Sequence, residues 1–549
     1  MRAVKHLSSL LRAIVADLGL SWPAGTSLEP PREKRFGDLA LNLALVLARE
    51  AGARPLALAE DLAARLRGSS PDIASVQVAG PGFLNVTFAP AFWQACIPLV
   101  EAAGERYGAS NAGRGRKAQV EFVSANPTGP LHVGHGRGAA VGDALVRILR
   151  FAGYEVCAEY YLNDAGKQMR TLGLSIWKRV RELAAGDLAP FPEDYYQGGY
   201  IRDIAREMLA ARPDLADLPE REGVEACLAQ GMQVIFEGIR RDLQDFRVFH
   251  DSWFSEKSLV DSGAVARTLR LLEESGLAYE RDGALWFRSS EHGDDRDRVL
   301  RKSDGSLTYF ASDIAYHADK YARGFELAVD VWGADHHGYI PRMRAAVAAL
   351  GQAPEALDVL LIQLVNLLRE GRQVAMSTRA GEFETLADVL REVGTDAARF
   401  IFLSRKSDSK LDFDLELVRR RTLDNPVYYV QYAHARIRAV RRRALERGFN
   451  LEAAGSPALL TRTEELDLLR LFDRFPLVLE EAARDRAPHY VSQYLTDLAG
   501  CLHHYYAACQ ILAAGEAELT AARLRLTNAA GIILGNGLKL LGVSAPESM

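Results

Sequence analysis

Hydrophobic and polar positions change their period several times along the chain, and each change marks a boundary between blocks. The first twenty residues mix charged and apolar positions in the pattern of an amphipathic helix. After the polar stretch EPPREKRFGDLALN, a second helical pattern covers 54–67, and the strand-like run VQVAGPGFLNVTF ends the block. These patterns predict a small α+β domain over residues 1–90.

Strand-like and helical patterns alternate from 115 to 410, which is typical of a parallel sheet wrapped by helices. Helical patterns dominate between 168 and 283, and we expect these residues to form an insertion into that fold. From 425 to 549 nearly every pattern is helical, which predicts an all-α bundle. The predicted strands of the middle block are 118–125, 154–162, 284–289, 327–333 and 357–365.

The composition indicates a globular protein with several cores. At 549 residues the chain is too long for one core, and the usual domain size implies about three or four domains. The hydrophobic share of 48% and the charged share of 25% are those of a soluble protein. The chain has no apolar run of about 18 residues and no signal-peptide pattern. We therefore expect no membrane segment and a cytoplasmic location.

The cysteines predict neither a disulfide framework nor a structural metal site, because the five are scattered and none forms a CxxC pair. The net charge of −5 disfavours a polyanionic partner unless positive charge is concentrated locally. Such a concentration lies between residues 425 and 450, where Glu446 is the only acid. Its arginines are Arg436, Arg438, Arg441, Arg442, Arg443 and Arg447, and the tyrosines just before them are Tyr428, Tyr429 and Tyr432.

Arginines beside aromatic residues suit the phosphates and unstacked bases of RNA. A solvated helical face with buried tyrosines would give the same pattern, and this alternative stays open. A basic helix of this kind is therefore a candidate nucleic-acid surface.

The most informative segment runs from 121 to 150, where a strand-like run breaks at NPTGP and continues as HVGH at the start of a helix. His132 and His135 lie on one side of the first helical turn, where free backbone N–H groups and the helix dipole favour phosphate. Gly134 between them leaves the backbone open to a flat base. For an isolated HxxH pair, capping or core histidines and half of a metal site are the alternatives. The strand, the short loop and the small residues that follow favour a nucleotide site.

In the form ANPTGPLHVGH, this segment resembles the HIGH signature of class I aminoacyl-tRNA synthetases and, among them, of bacterial arginyl-tRNA synthetases. The likeness continues through nearly the whole chain, and the order and spacing of its parts argue against coincidence. The further stretches are YYLNDAGKQ at 160–168, SDGSLTYFASDIAYHADKY at 303–321, VWGADHHGY at 331–339, VAMSTRAGEF at 374–383 and NPVYYVQYAHARIR at 425–438.

The resemblance implies a fold, a reaction and partners. The fold is α/β, with a Rossmann-like class I synthetase catalytic core, an N-terminal α+β additional domain that contacts tRNA, and a C-terminal all-α anticodon-binding bundle. The reaction is ATP-dependent ligation of L-arginine to tRNA(Arg) through an arginyl-adenylate, which gives arginyl-tRNA, AMP and pyrophosphate for translation. Mg²⁺ would accompany ATP, no structural metal is expected, and the chain would act as a monomer.

Arginine is a planar cation with a fork of donors, so a selective pocket needs fixed carboxylates. We expect Asp313 to bind the guanidinium, Tyr309 to stack or hydrogen-bond against it, and Glu121 to take the α-ammonium group. For Asp313 the alternative is a helix N-cap or a surface ion pair. The arginine-binding residues that the resemblance implies are Glu121, Asn126, Tyr309, Asp313, Tyr316 and His337.

The ATP half of the site is expected where strands end, since ligands of open α/β sheets bind at the carboxyl ends of strands. The Asp-His-His run at 335–337 could instead bind a metal, but no further ligand has matching spacing. The expected ATP-binding residues are His132, Gly134, His135, Gly333 and Asp335.

The second class I signature departs from the family pattern. In place of Lys-Met-Ser-Lys-Ser the chain has AMSTR at 375–379, so both lysines are missing. Arginyl-tRNA synthetases resemble it in often lacking this motif, but two cations expected at the leaving pyrophosphate need replacement. Arg379, Lys117 and Lys167 are the candidates. The expected catalytic residues are His132, His135, Met376, Ser377 and Arg379.

Two other functions fit parts of the pattern. A nucleotidyltransferase or a small-molecule adenylating ligase would share the HxGH site but would leave the basic helical C-terminus unexplained. A non-catalytic RNA-binding descendant would explain the lost lysines but not the retention of the remaining site residues. Under the synthetase hypothesis, the expected tRNA-binding residues are Tyr432, Arg436, Arg441, Arg442 and Arg443.

Overall fold

The computed structural model describes residues 1–31, 33–185, 190–374, 384–451, 455–513 and 515–549. Its helices and strands form an N-terminal region, a central α/β region and a C-terminal helical region. Within the described ranges, no helix is both long enough and apolar enough to cross a membrane.

The N-terminal region combines helices with an antiparallel sheet, as predicted. It contains α1 (Arg2–Asp17), β1 (Leu28–Glu29), β2 (Leu39–Leu41), α2 (Leu43–Leu47), α3 (Pro55–Leu66), β3 (Ile73–Ala79) and β4 (Phe83–Phe88). The four strands pair antiparallel in the order β1-β2-β4-β3. Leu7, Leu11 and Ile14 of α1 recur at helical spacing and are buried, which explains the amphipathic pattern of this segment.

The central region is the longest part of the fold. In chain order it contains α4 (Pro90–Gln94), α5 (Cys96–Ala103), β5 (Lys117–Glu121), α6 (Val133–Phe151), β6 (Glu155–Leu162), α7 (Lys167–Ala185), α8 (Gly199–Ala211), α9 (Glu220–Asp245), β7 (Ser252–Ser255), α10 (Glu256–Asp261), α11 (Ala264–Glu274), β8 (Ala278–Arg281), β9 (Ala284–Phe287), β10 (Arg298–Arg301), α12 (Tyr309–Ala322), β11 (Leu327–Gly333), α13 (Ile340–Ala349), β12 (Leu357–Ile362), β13 (Val365–Arg369), β14 (Arg372–Gln373), α14 (Leu386–Val393), α15 (Thr395–Phe402), β15 (Leu411–Asp414) and α16 (Leu415–Arg419).

A parallel sheet of five strands, in the order β12-β11-β5-β6-β7, organises this region. In its middle strand β5, Ala118, Gln119 and Val120 are all fully buried, so both faces of the strand are covered. From β5 the chain crosses through α6 to β6 on one side, and it later returns to β11 on the other side. The strand order therefore reverses at β5, and a crevice is expected where the loops after β5 and β11 separate.

Three parts of the middle block differ from the sequence prediction. The helical insertion is α7 to α9, because the short strand β7 pairs with β6 and resumes the sheet inside the predicted range 168–283. A strand of four residues carries too little alternation to be distinguished from its surroundings. The predicted strand 284–289 is β9, which pairs antiparallel with β8 and β10 in a separate sheet. The predicted strand 357–365 is two strands, β12 and β13, which belong to different sheets.

The C-terminal region is helical, as predicted, and it packs directly on the N-terminal region. Its helices are α17 (Pro426–Glu446), α18 (Thr463–Arg484), α19 (His489–Ala508) and α20 (Ala517–Leu540). The carboxylate of Asp473 in α18 accepts hydrogen bonds from the backbone N–H groups of Arg2 at 3.1 Å and Ala3 at 3.0 Å. The start of the chain is therefore anchored to the helical bundle.

Candidate active site

A cleft of about 850 Å³ lies at the carboxyl ends of β5, β11 and β12, where the strand order predicts a crevice. Six residues expected from the sequence lie in its wall: Asn126, His132, Gly134, His135, Gly333 and Asp335. The described lining comprises 123–126, His132, Gly134, His135 and Gly138 after β5, 331–336 at the end of β11, and 362–365 after β12.

The two histidines of HVGH cap the helix that they begin. The Nδ1 atom of His132 accepts a hydrogen bond from the backbone N–H of Gly134 at 3.1 Å, and that of His135 accepts one from the backbone N–H of His132 at 3.3 Å. The two rings stack with their centroids 3.7 Å apart. A Cβ atom at Gly134 would lie 2.9 Å from Cε1 of His132, so the ring position requires glycine.

Capping determines which ring nitrogen carries the proton. Because each Nδ1 accepts an N–H, the neutral ring holds its proton on Nε2 and can donate there. Burial lowers the pKa of His132, and burial together with the neighbouring His132 lowers the pKa of His135 to about 3. Capping was an alternative to nucleotide binding in the sequence, but here it prepares two neutral donors at the positive end of a helix.

The segment after β11 forms the facing wall of the cleft. At Gly333 a Cβ atom would overlap the exposed carboxylate of Asp335 in its present position, so a larger residue here would turn that side chain aside. His337 is also exposed, but it does not line the cleft. The resemblance places His337 in the arginine pocket, and this role stays a prediction.

The second signature falls largely outside the described residues. Met376, Ser377 and Arg379 all lie in 375–383, which the structure does not describe. Directly after this range, Thr385 forms an antiparallel bridge with His132, and the backbone N–H of Leu386 donates to the carbonyl of Leu131 at 2.7 Å. The residues that follow the signature segment are thus attached to the HVGH turn.

Lys117 cannot replace a missing lysine. It begins β5, whereas the cleft lies beyond the other end of this strand at Glu121. At about 3.3 Å per residue, the two ends are roughly 13 Å apart. Lys167 begins α7 just after the carboxyl end of β6, at the same sheet edge as the cleft, and it stays a candidate.

Asp313 lies on the first turns of α12 and faces no cation of its own. Its Oδ2 accepts a hydrogen bond of 2.5 Å from the hydroxyl of Tyr339. Among the described residues, no basic side chain forms an ion pair with its carboxylate; His317, whose Nδ1 lies 2.8 Å from the backbone carbonyl of Asp313, and Lys320 act on the carboxylate only through space. Burial raises the pKa of this carboxyl. The N-cap of α12 is Thr308, so Asp313 is neither a cap nor a surface ion pair.

Glu121, expected to take the α-ammonium group, belongs to a buried charge network. Its Oε2 accepts from Nζ of Lys320 at 2.7 Å, and the same ammonium donates to Asp330 at 2.7 Å. Nε2 of His317 lies 2.9 Å from the other oxygen of Asp330. Lys320 and Asp330 are both fully buried. The charge of Glu121 is therefore balanced by a cation of the protein, Lys320, whereas Asp313 has no such partner among the described residues.

The hydroxyl of Tyr316 is used inside the core, whereas the expected role of Tyr309 stays a prediction. The hydroxyl of Tyr316 donates to Glu159 at 2.7 Å and accepts from Nε2 of Gln119 at 3.1 Å, so it is fully used inside the core. A hydrogen bond from Tyr316 to arginine is not supported. Tyr309 is 64% exposed at the start of α12, which leaves its ring free to move against a ligand.

Sequence reasoning missed a second carboxylate, Glu256. It begins α10 directly after β7, at the same sheet edge as the cleft, and only 7% of it is exposed. Burial, and then the nearby charge of Asp313, raise the pKa of Glu256 to about 7. The signal was an acid at the end of a strand, but the strand β7 itself was too short to be predicted.

The basic helix α17 presents two different sets of arginines. On one face, the rings of Tyr428 and Tyr432 stack with centroids 6.1 Å apart, and the guanidinium of Arg436 lies 3.6 Å from the ring centroid of Tyr506 in α19. Arg443 lies two turns beyond Arg436 on the same face and is exposed.

The other arginines of α17 are held by neighbouring elements. Arg441 donates to the side chain of Asn528 in α20, and Arg442 donates to the backbone carbonyl of Glu547 at 2.9 Å. Arg438 forms an ion pair of 3.2 Å with the carboxylate of Glu547. The expected tRNA contacts at Arg441 and Arg442 are therefore partly used within the protein.

No metal centre emerges from the described ranges, where no three His, Cys, Asp or Glu side chains are grouped to hold an ion. The five cysteines are free. The Asp-His-His run has an ion-pair distance of 3.7 Å between His336 and Asp335 but gains no further ligand.

Comparisons with known proteins agree along the whole chain. Residues 5–88 match the model of the arginyl tRNA synthetase N terminal domain, 99–417 that of the class I (R) tRNA synthetase catalytic domain, and 430–549 that of the DALR anticodon binding domain. The chain is 64% identical to an arginine–tRNA ligase of Nitratidesulfovibrio vulgaris and 52% identical to one of Lawsonia intracellularis, with 100% of each chain covered. The arginyl-tRNA synthetase of Thermus thermophilus superposes with a TM-score of 0.77 at 25% identity, covering 99% of this chain and 100% of that one.

We expect His135 to stay neutral, with its proton on Nε2, from about pH 8 to about pH 5, because its Nδ1 is occupied and it is buried. Histidine ¹⁵N spectra of the labelled protein, assigned with His135→Gln, would show this tautomer. The unfolded chain protonates histidine at about 6.5. The stability due to this group is therefore complete above that pH and is lost as pH falls toward the folded pKa of about 3. A His135 resonance that titrates like that of a free histidine would contradict the assignment.

Proposed function

The chain belongs to the arginyl-tRNA synthetase family and ligates L-arginine to tRNA(Arg), and we propose that the reaction takes place in the cleft at the ends of β5 and β11. One observation carries the assignment: a helix N-terminus that can receive phosphate follows β5, and the half-buried carboxylate of Asp313, which contacts Tyr339 just after β11, has no ion-pair partner among the described residues. A site for an anion next to a site for a cation fits the activation of arginine by ATP.

ATP binds with its phosphates toward the start of α6. The Nε2–H groups of His132 and His135 donate to them, and the helix dipole adds positive potential. The segment 362–365, with the exposed side chain of Leu364, forms an apolar wall for the base. Asp335 is the one carboxylate among the described residues that line the cleft.

Mg²⁺ enters with ATP, because this ion keeps much of its water and binds mainly to substrate phosphates with one or two carboxylates. The single exposed carboxylate of Asp335 fits that requirement. When bound, the ion neutralises charge on the phosphates. Met376, Ser377 and Arg379 stay predictions for the pyrophosphate side, together with Lys167.

The guanidinium of arginine binds Asp313 and displaces the hydroxyl of Tyr339. Glu256 supplies the second carboxylate, so that the donor fork meets two acceptors. Tyr309 covers the guanidinium from outside. The α-ammonium group lies near Asn126 and Glu121, whose attachment to Lys320 leaves lone pairs free on the carboxylate.

The reaction needs no nucleophilic side chain. The carboxylate of arginine attacks the α-phosphorus of ATP, the bond to pyrophosphate breaks, and arginyl-adenylate forms. The terminal ribose hydroxyl of tRNA then attacks the acyl carbon and releases AMP. The protein contributes alignment and charge stabilisation through the capped helix.

tRNA binds through the face of α17 that carries Tyr428, Tyr432, Arg436 and Arg443. Its stacked rings and cations suit unstacked bases and phosphates. The N-terminal α+β region contacts the tRNA outside the anticodon. The enzyme acts as a monomer in the cytoplasm.

Arginine selectivity should depend on Asp313. The enzyme should charge tRNA(Arg) with arginine but not with lysine or citrulline, and Asp313→Asn should lose most of the activity, because an amide presents a donor toward the guanidinium. Leaving one member of a buried charge pair unmatched costs about 3–5 kcal/mol. Aminoacylation assays and arginine calorimetry measure both effects.

The matched control is Tyr339→Phe, which removes the hydrogen bond but keeps the carboxylate. Because arginine displaces this hydroxyl, its loss removes no contact of the bound complex, and we expect arginine affinity equal to or slightly above that of the parent. Near-normal arginine affinity in folded Asp313→Asn would refute the pocket. Charging with none of the three amino acids would favour one of the other functions.

Arginine binding should release a proton near neutral pH. In the enzyme without arginine, Glu256 is partly protonated near neutral pH because its pKa is raised to about 7. A bound guanidinium beside it favours the ionised carboxylate, so the proton is released. Affinity should therefore rise as pH increases through about 7, and the release should disappear in Glu256→Gln. Calorimetry in buffers of different ionisation enthalpy counts the protons. The exposed Glu274→Gln is the control and should bind like the parent, whereas unchanged release in Glu256→Gln would exclude Glu256.

tRNA affinity should depend on the free arginines of α17 rather than on those held by α20 and the chain end. Arg443→Gln and Arg436→Gln should each reduce the slope of log affinity against log salt by roughly 0.7–0.9, the effect of one phosphate contact. Arg442→Gln, whose guanidinium donates to Glu547, is the matched control with a smaller change. ATP affinity should be the same in all three variants. If Arg442→Gln and Arg443→Gln changed the salt dependence of tRNA affinity equally, the face of α17 that carries Arg436 and Arg443 would not be the tRNA contact.

A further inference from the structure

Arg137 is a buried cation next to the reaction site that neither the sequence motifs nor the proposed chemistry uses. It lies on α6, directly after the HVGH turn, and its side chain is fully buried. Within the described residues it forms no ion pair. The nearby carboxylate of Asp408 pairs instead with Lys406 at 2.7 Å. A charge buried without a counterion is costly, so its hydrogen bonds must be important to the structure around it.

All its hydrogen bonds go to backbone carbonyls on two separate segments. Nη1 donates to the carbonyl of Gln363 at 3.0 Å and to that of Ser409 at 2.7 Å. Nη2 donates to the carbonyl of Lys406 at 2.8 Å. The two segments are also joined directly, because the backbone N–H of Gln363 donates to the carbonyl of Ser407 at 2.8 Å. One planar guanidinium therefore holds a three-way junction together.

The junction spans the cleft wall. Gln363 belongs to the segment 362–365, which lines the cleft opposite the HVGH turn and includes the exposed Leu364. This segment leaves β12 and enters β13, so regular strand pairing within one sheet does not determine its position. The distance between this wall and the phosphate-binding turn therefore depends on Arg137. Asp313 and Glu256 belong to α12 and α10, which make no hydrogen bond to the guanidinium.

We propose that Arg137 is a positioning residue for ATP, which fixes the 362–365 wall relative to the HVGH turn without touching the nucleotide. The proposal rests on the assignment of this cleft to ATP. A lysine keeps the charge but has one nitrogen instead of a planar fork, so it cannot reach all three carbonyls in the same geometry. Loss of the fork should loosen the base wall and leave the arginine pocket unchanged.

The test compares Arg137→Lys and Arg137→Ala with the parent in direct binding of ATP and of arginine by calorimetry, and in the KM for each substrate. A displacement of about 1 Å in a positioned site is sufficient for large losses, so we expect ATP affinity to fall roughly 10- to 100-fold. Arginine affinity should stay within about twofold, as for independent sites. Millimolar guanidinium added to Arg137→Ala should restore part of the ATP affinity, whereas urea should not.

Arg399→Lys is the matched control. Arg399 is also fully buried and also binds carbonyls, those of Leu541 at 2.8 Å and Phe246 at 3.0 Å, but neither of these partners lies in the cleft wall, whereas Gln363 does. The Arg399→Lys substitution should lower the melting temperature of the protein without a specific change in its affinity for ATP. Parallel losses for ATP and arginine in Arg137→Lys, or an equal ATP loss in Arg399→Lys, would overturn the proposal. ATP binding is measured directly, so this test is separate from that of the proposed function. A parent protein that bound ATP but failed to attach arginine to tRNA would refute the proposed function, and the ATP affinities of the Arg137 and Arg399 variants would still decide this proposal.

Discussion

The reversal of strand order at β5 creates the cleft on which the proposed ATP site depends. Parallel strands are joined by right-handed crossovers, so a chain that moves to β6 on one side and to β11 on the other must send its loops to opposite faces. The loops after β5 and β11 then separate, and a cleft opens between them. Residues far apart in sequence, such as His132 and Asp335, meet there because each follows a strand that ends at this edge.

Helix α6 connects this edge to the rest of the molecule. Its first turn is capped by Nδ1 of His132 and His135, so one set of hydrogen bonds stabilises the helix and selects the tautomer that carries the proton on Nε2. In its later turns, the carboxylate of Asp143 accepts from Arg399 at 2.5 Å, and Arg399 donates to the carbonyl of Leu541 at the end of α20. The HVGH turn and the C-terminal helical bundle are therefore attached to one rigid element.

The buried carboxylates around the site fall into two classes. Glu121 and Asp330 share the ammonium of Lys320 and maintain the sheet and α12 in register. Asp313 and Glu256 have no basic partner among the described residues, and burial raises the pKa of both. The internal cation Lys320 already balances Glu121 and Asp330, whereas no such cation balances Asp313 and Glu256, and this difference is the basis for proposing the latter two as acceptors of the guanidinium.

A chain with a net charge of −5 can bind a polyanion because its charge is unevenly arranged. On α17 the same helix supplies arginines that hold Asn528 and Glu547 and arginines that remain on an open face. The sequence predicted the basic helix but could not separate these two uses, since the partners lie about a hundred residues away in the chain.

Local features could be predicted from the sequence. The amphipathic α1, the strand–loop–helix of β5 and α6, the strand 327–333 and the helical C-terminus follow from hydrophobic period, turn residues and capping. Tertiary structure alone decided that Lys117 lies at the wrong end of its strand, that Tyr316 serves Glu159, and that Glu256 joins Asp313. Those outcomes depend on which elements become neighbours, and the Glu121–Lys320 contact across 199 residues shows that neighbours are selected by packing of the whole sheet rather than by any local pattern.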